Sequence, residues 1–254
     1  MSGFSVDWLH VREPVDHAAR SEEVLSAVSH YFMNEKKLQI TDIGCGTGST
    51  LRALKPFLSN ELVWHLVDND DALLEHAKEN LNGDQMVFSL ADLSESVEVL
   101  FAENPSLITT SAFLDLVSHE WLEIFCKEVT SRKIPFYAAL SYDGRAGCDP
   151  ELDEDELVLT AFNQHQRTDK GFGAALGPEA AAAAIRLFEE NGYLVTSSRS
   201  DWVGDSRHPV FQKLLLEGWC EAASEIEPEN TELFKDWLTK RIRLIDENRA
   251  SVFV

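Results

Sequence analysis

The sequence predicts an α/β fold built on a seven-stranded, mostly parallel sheet with helices on both faces. Two observations support this prediction. Short apolar runs, rich in β-branched and aromatic residues, alternate with segments of helical periodicity, which is the pattern of strands joined by crossover helices. The helical segments also begin and end at recognisable capping residues. With 254 residues the chain can bury a sizeable core, and we expect a single domain over residues 1–254.

Each expected strand is a short apolar run bounded by polar or turn-forming residues. In chain order the seven are Leu38–Ile43, Leu62–Asp68, Gln85–Leu90, Leu107–Ala112, Pro135–Tyr142, Leu194–Val203 and Ala250–Val254. Helical segments separate the first five, so most strands are expected to run parallel.

The expected helices have typical end signals. Asp70 is placed to cap a helix that ends near Asn82 and Gly83, and Gly177–Pro178 opens an alanine-rich helix that ends near Asn191. Residues 1–30 are expected to form an N-terminal capping helix.

Two segments are longer than strand and helix alternation requires. They span residues 143–176 and 204–248, and the second contains two amphipathic helical stripes. If the last strand runs antiparallel to the rest, both segments emerge at the carboxyl edge of the sheet, where open α/β sheets bind ligands. We therefore expect them to form helical lids over a pocket.

Composition excludes several classes of function. The formal net charge is -22, and such a field repels nucleic acid because no basic patch opposes it. No apolar run is long enough for a membrane span or a signal peptide, and the four cysteines form no CxxC pair. We expect a cytoplasmic protein without a metal site, a nucleic-acid partner or a membrane partner, and make no prediction of its oligomeric state.

The most informative segment joins the first expected strand to a helix that begins near Ser49. It runs Asp42-Ile43-Gly44-Cys45-Gly46-Thr47-Gly48. Three glycines at alternate positions let the backbone turn tightly and approach a bulky ligand with no Cβ atom in the way. A dinucleotide fingerprint needs its third glycine one position later, where this chain has Ser49, and the Gly-Lys-Ser/Thr of a phosphate-binding P-loop is absent.

Asp42, Gly44, Gly46 and Gly48 resemble the first motif of the class I S-adenosylmethionine (SAM)-dependent methyltransferases, acidic-x-Gly-x-Gly-x-Gly. The resemblance extends over roughly the first 140 residues. It implies a Rossmann-like fold, SAM as the methyl donor and S-adenosylhomocysteine (SAH) as the product.

Further residues follow from this resemblance. Asp68 ends the second strand, where a carboxylate can accept both ribose hydroxyl protons. The resemblance implies that Asp42 binds near the methionyl amino group, that Asp92 and Leu93 meet the adenine, and that carbonyls of Ser111 and Ala112 lie beside the sulfonium. The full expected binding set is Arg12, Asp42, Gly44, Cys45, Gly46, Gly48, Asp68, Asn69, Asp92, Leu93, Ser111 and Ala112.

Two of these assignments have a structural alternative. Asp92 also fits the cap of the segment that follows it. Arg12 lies at helical spacing from Trp8 and Asp16, and it is either a partner of the methionyl carboxylate or a surface arginine of a capping helix.

Three residues near the expected ligand edge are candidates for catalysis. Asp115 and His119 follow the fourth strand, where a carboxylate or an imidazole can act as a general base. Tyr142 ends the fifth strand and is the expected polar wall of the acceptor site. The alternative for His119 is a surface or capping role at the start of an amphipathic helix.

Methyl transfer requires alignment of acceptor, methyl group and sulfur with water excluded. The Asn/Asp-Pro-Pro-aromatic turn typical of amide and exocyclic base methylation is absent, and so is a Pro-Cys nucleophile. Together with the negative charge, this favours a small-molecule acceptor. Two alternatives remain open: a catalytically silent SAM-binding or interaction module, and a nicotinamide-dependent oxidoreductase on a related fold.

Overall fold

The computed structural model of the protein describes residues 4–59 and 61–254. The helices are α1 (Val6–Ala19), α2 (Glu22–Tyr31), α3 (Ser49–Leu54), α4 (Asp71–Asn80), α5 (His119–Ser131), α6 (Asp155–His165), α7 (Ala180–Glu190), α8 (Pro209–Ile226) and α9 (Thr231–Asp246). The strands are β1 (Lys37–Ile43), β2 (Glu61–Asp68), β3 (Gln85–Leu90), β4 (Leu107–Ser111), β5 (Phe136–Ala139), β6 (Gly147–Asp149), β7 (Val203–Gly204) and β8 (Ser251–Phe253).

Side-chain caps mark the beginnings of α1, α2, α4 and α5. The predicted cap at Asp70 is confirmed, since its carboxylate accepts hydrogen bonds from the backbone N–H groups of Ala72 and Leu73. A 3₁₀ turn at Gly177–Glu179 leads into α7, as expected from Gly177–Pro178. Residues 6–31 form two helices, α1 and α2, where one capping helix is expected, because Ser21 starts a second helix by accepting from Val24 N–H.

The central sheet has five parallel strands in the order β3-β2-β1-β4-β5. The order reverses between β1 and β4, which is where open α/β sheets place their ligand crevice. In the register of the sheet Ile43 lies opposite both Val67 and Thr110, so the carboxyl ends of β1, β2 and β4 meet at one edge.

The prediction of seven strands in this sheet is wrong in its last part. Residues 194–202 form no strand of the central sheet, and a cavity of about 230 Å³ separates the segment from β5. The expected last strand exists as β8, but it pairs antiparallel with β6 and β7 in a separate three-stranded sheet. Residues 196–201 are all polar, so this segment has no alternating apolar side chains to anchor it against the core.

Apolar side chains pack on both faces of the central sheet. One face carries α2, α3 and α4, and the other carries α5 and α7. A third cluster lies among α6, α8 and α9, where Phe234 and Trp237 are almost fully buried. Within it the guanidinium of Arg241 is buried against the carboxylate of Asp155 and donates to the carbonyl of Pro150 at 2.7 Å.

The two long segments fold as part of this third layer. Residues 143–176 contain β6 and α6, and residues 204–248 contain α8 and α9. In the described part of the chain no helix combines the length and the apolar character needed to cross a membrane. The layer covers the carboxyl ends of β4 and β5, and this arrangement creates the candidate site.

Candidate functional site

The glycine turn after β1 adopts a backbone conformation that side chains rarely tolerate. Gly44, Gly46 and Gly48 have φ angles of 60°, 53° and 86°. At Gly48 a Cβ atom would lie 2.6 Å from Cδ1 of Leu81. A side chain at this position would therefore meet both an unfavourable φ angle and a steric contact. The turn therefore depends on glycine for its geometry, and it leads directly into α3.

Asp68 ties the end of β2 to this turn. Its Oδ2 accepts the backbone N–H of Gly46 at 2.7 Å, and its Oδ1 accepts the N–H of Asp70 at 3.0 Å. Burial raises the pKa of Asp68, and these backbone hydrogen bonds oppose that rise. A carboxylate has about four lone-pair positions, so both oxygens keep capacity for further donors.

Asp42 lies beneath the turn and is fully buried. Its Oδ1 accepts from the hydroxyl of Thr109 at 2.8 Å, whereas its Oδ2 has no partner. Burial raises the pKa of Asp42 to about 7, with hydrogen bonding to Thr109 acting in the opposite direction. A buried carboxylate oxygen without a partner is costly, and a cationic ligand group would satisfy it.

Sequence reasoning missed a polar cluster next to Asp42. Arg20, which is 5% exposed, donates to Ser111 Oγ at 2.7 Å and to the hydroxyl of Tyr137 at 3.2 Å. Thr50 Oγ1 lies 3.0 Å from the same Ser111 hydroxyl. These contacts join residues far apart in sequence, so no local pattern indicates them. They hold Ser111 at the end of β4, where we expected a ligand contact.

The remaining expected cofactor residues differ in their surroundings. Leu93 is buried, and its carbonyl accepts from the indole N–H of Trp121 at 2.6 Å. Asp92 is exposed and accepts from the backbone N–H and the hydroxyl of Ser94, which is the capping role given above as the alternative. Cys45 is buried within the turn, and Asn69 is exposed beside Asp68.

Helix α1 packs against the glycine turn. Leu9 Cδ1 lies 3.3 Å from the Cβ position of Gly46. Glu13 forms a two-point ion pair with Arg52 of α3, with N to O distances of 2.5 and 2.7 Å, and Arg52 also donates to the carbonyl of Thr47. These contacts anchor α1 over the turn.

Arg12 of α1 is a buried cation rather than a surface arginine. Its Nε donates to Asp16 Oδ2 at 3.0 Å, and its guanidinium carbon lies 5.4 Å from the ring centre of Trp202. Burial raises the pKa of Asp16, and the charge of Arg12 opposes that rise. Arg12 also lines a large cavity beside the turn.

This cavity has a volume of about 820 Å³ and lies at the carboxyl ends of β4 and β5, beneath α6 and α8. That volume is within the range of small-molecule sites. Its walls are mainly apolar and include the aromatic residues Phe4, Trp8, Tyr142, Phe162, Trp202 and Trp219. Ala112 and Leu140 also line it, with φ angles of 49° and 59°, and these unusual backbone conformations lie where the chain leaves β4 and β5.

Asp115 and Tyr142 both line the cavity. Asp115 is 9% exposed, and its Oδ1 has no hydrogen-bond partner. Burial raises the pKa of Asp115 to about 6. Burial and the nearby charge of Asp143 also raise the pKa of Tyr142, whose hydroxyl donates to Asn163 at 2.9 Å. The cavity thus contains a carboxyl group whose pKa suits proton transfer near neutral pH.

The structure does not bring His119 to this cavity. It is the first residue of α5, its side chain is 44% exposed, and it lies beside Arg186 and Glu123. This is the surface position given above as the alternative to a catalytic role.

Comparison with known proteins gives one informative relative in sequence. No family model matches the chain. The carboxy-S-adenosyl-L-methionine synthase of Trichodesmium erythraeum (strain IMS101) is 30% identical over 182 residues, which cover 67% of this chain and 72% of the relative.

Solved structures are similar in fold. A cyclopropane-fatty-acyl-phospholipid synthase-like protein from Lactobacillus casei ATCC 334 has a TM-score of 0.54 at 14% identity, covering 99% of this chain and 93% of the other. A cyclopropane synthase from Mycobacterium tuberculosis has a TM-score of 0.53 at 13% identity, covering 98% and 93%. The sequence relative and the glycine turn indicate the same family. The chain belongs to the class I S-adenosylmethionine-dependent methyltransferases.

Proposed function

We propose that the protein binds SAM at the glycine turn and transfers a methyl group to a small molecule held in the 820 Å³ cavity. One observation carries this proposal. The side chain of Phe113 lies 3.0 Å from the Cβ position of Gly44 in the turn, and the preceding residue, Ala112, lines the cavity. The turn and the cavity are therefore adjacent at the point where the strand order of the sheet reverses.

The residues at the turn fit SAM. Asp68 keeps acceptor capacity for ribose hydroxyls, and the free Oδ2 of buried Asp42 suits the methionyl ammonium. We assign the adenine contacts to Asp92 and Leu93 and the methionyl carboxylate to Arg12.

When bound, SAM supplies an electrophilic methyl group on a sulfonium centre. The protein then has three tasks, which are to bind the acceptor, to exclude water and to accept a proton. The aromatic walls of the cavity serve the first two. Asp115 is assigned as the general base, because it lines the cavity and its pKa of about 6 leaves it mostly ionised at neutral pH. Tyr142 positions the acceptor through its hydroxyl, and His119 is assigned no catalytic role.

The direct test of this function is a labelled-methyl screen. The protein is incubated with SAM carrying an isotopic methyl group and with a cell metabolite extract. We expect label in one or a few small molecules, and loss of that label with Asp115→Asn. Label found solely on macromolecules would contradict the assignment of a small-molecule acceptor. Binding of SAH without any turnover would favour a silent SAM-binding module.

A second candidate reaction is the one named for the T. erythraeum relative, synthesis of carboxy-S-adenosyl-L-methionine. The observation that favours it is the 30% identity over 182 residues. Mass spectrometry of the same reaction mixture distinguishes the two candidates. Methyl transfer yields SAH and a methylated acceptor, whereas the second reaction, with a carboxyl donor from the extract, yields a SAM derivative heavier by the mass of CO2.

A further inference from the structure

Helix α8 contains a glycine that packing does not explain. Gly218 lies in the interior of α8 and lines the cavity, and a Cβ atom built on it would meet no atom within 4 Å. Glycine inside a helix is less stable than alanine, so its presence needs another reason. Leu214 and Ala222 lie one turn before and after it, and both also line the cavity. Together these three residues form an apolar strip on α8, and its central residue, Gly218, has no side chain.

Most of the charge that lines the cavity is already balanced. Arg12 is paired with Asp16, and Arg145 is paired with both Asp143 and Asp201. Among the described residues, the cavity-lining Asp115 and Arg199 form no direct ion pair. Asp115 is the buried carboxyl assigned above, and Arg199 is exposed. The net charge of -22 also opposes anionic ligands.

The carboxyl and hydroxyl groups assigned to the acceptor and the apolar strip on α8 come from different elements of the cavity wall. Asp115 and Tyr142 lie in the segments that follow β4 and β5, whereas Leu214, Gly218 and Ala222 lie on α8. Phe162 and Trp219 complete the wall between α6 and α8, with ring centres 5.6 Å apart. A ligand that fits this arrangement presents a proton-bearing nucleophile to Asp115 and an apolar, ring-sized body to α8.

We propose that the acceptor is an uncharged molecule with an apolar, ring-sized body, that this body lies against α8, and that the absent side chain at Gly218 sets the size it can have. This inference rests on the proposed function, since it assumes that the cavity receives the acceptor. It assigns Gly218 as a specificity-determining residue.

The test uses two ring probes with the protein saturated with SAH. The probes are 2-naphthol, which is uncharged, and 6-hydroxy-2-naphthoate, which carries a carboxylate on the same ring system. We expect 2-naphthol to bind and the naphthoate to bind at least about tenfold more weakly. Gly218→Phe should weaken 2-naphthol binding by at least about tenfold, and Gly218→Ala should leave it within about twofold. Glu221→Phe, which adds the same ring at an exposed position of α8 that does not line the cavity, should have no effect.

The outcomes separate this inference from the function on which it rests. Failure of the wild-type protein to bind SAH contradicts the proposed function. If SAH binds but 2-naphthol does not, or the naphthoate binds as tightly as the naphthol, the proposed acceptor class is wrong. If Gly218→Phe keeps its melting temperature and its SAH affinity and still binds 2-naphthol normally, the role of Gly218 is wrong. Should that variant fail to fold, the comparison of the two probes on the wild-type protein still decides the acceptor class.

Discussion

The carboxylate of Asp68 accepts the backbone N–H of Gly46 at 2.7 Å and so joins the end of β2 to the glycine turn after β1. This contact fixes the distance between the two elements that we assign to the cofactor. It also accounts for an acidic residue that is 8% exposed, since burial of a carboxylate is tolerated where hydrogen-bond donors surround it.

Replacement of Asp68 by alanine should weaken SAH binding by at least tenfold, or about 1.4 kcal/mol, because the ribose loses its acceptor and the turn loses its tie to β2. Calorimetric titration with SAH measures the effect. Asp71→Ala is the matched control, since Asp71 is exposed in the first turn of α4 and should leave affinity unchanged. Equal affinities for wild type and Asp68→Ala would remove Asp68 from the site.

SAH affinity should depend on pH through Asp42. Burial raises the pKa of Asp42 to about 7, and the assigned role requires its ionised form beside an ammonium group. Affinity should therefore fall as pH drops through about 7, by up to about tenfold per pH unit below it. Asp42→Asn should bind SAH weakly and with little pH dependence between about pH 6 and 8. A wild-type affinity that is constant over this range would show that Asp42 does not bind the ammonium.

Asp115→Asn should lower methyl transfer without lowering the free energy of unfolding. The pKa of Asp115 is raised to about 6, so the folded protein holds this proton more tightly than the unfolded chain. The contribution of Asp115 to the free energy of unfolding therefore falls as pH rises from about 4 to about 6 and stays lower above it, by on the order of 1–3 kcal/mol.

The amide cannot ionise, so Asp115→Asn should match or exceed the wild-type free energy of unfolding at about pH 8 while methyl transfer falls by about 10²- to 10⁴-fold. Urea unfolding at about pH 5 and pH 8 measures the first effect, and the labelled-methyl assay measures the second. Glu123→Gln, on the exposed surface of α5, is the control. A variant with full activity would exclude Asp115 as the base.

Two glycine to alanine changes should have opposite effects on stability. Gly48→Ala should lower the free energy of unfolding by about 1–3 kcal/mol, because φ is 86° and the new Cβ atom meets Leu81 at 2.6 Å. Gly218→Ala should raise it by about 0.5–1 kcal/mol, since the added methyl group meets nothing and favours the helix. Urea unfolding measures both. Addition of Leu81→Ala should not restore Gly48→Ala fully, as the backbone strain remains.

Much of the central sheet could be predicted because its signals are local. β3 has the predicted bounds, and β1, β2 and β4 differ from them by one residue at an end, since each is an apolar run next to a turn. Pro135–Tyr142 contains the shorter β5, as positive φ at Leu140 ends the extended backbone there. The pairing of β8 could not be predicted, because an apolar run does not specify which edge it joins.

The candidate site was predictable where one segment supplies its residues. The glycine turn directly follows the strand that carries Asp42, and Asp68 ends the neighbouring parallel strand, so their meeting follows from the parallel order of the strands. The contacts of Arg20 with Ser111 and Tyr137 span 91 and 117 residues, and such contacts leave no local trace in one sequence. His119 is close to Asp115 in sequence but lies away from the cavity. Helix α5 begins at His119, four residues after Asp115, and leaves its side chain at the surface.

Calorimetric titration of the wild-type protein with SAH and, separately, with NADH determines which cofactor the glycine turn binds. We expect one SAH site per chain, with affinity at least tenfold weaker in Asp68→Ala, and no heat of binding for NADH. Binding of NADH with no binding of SAH would show that the glycine turn holds a pyrophosphate and that the protein does not use SAM.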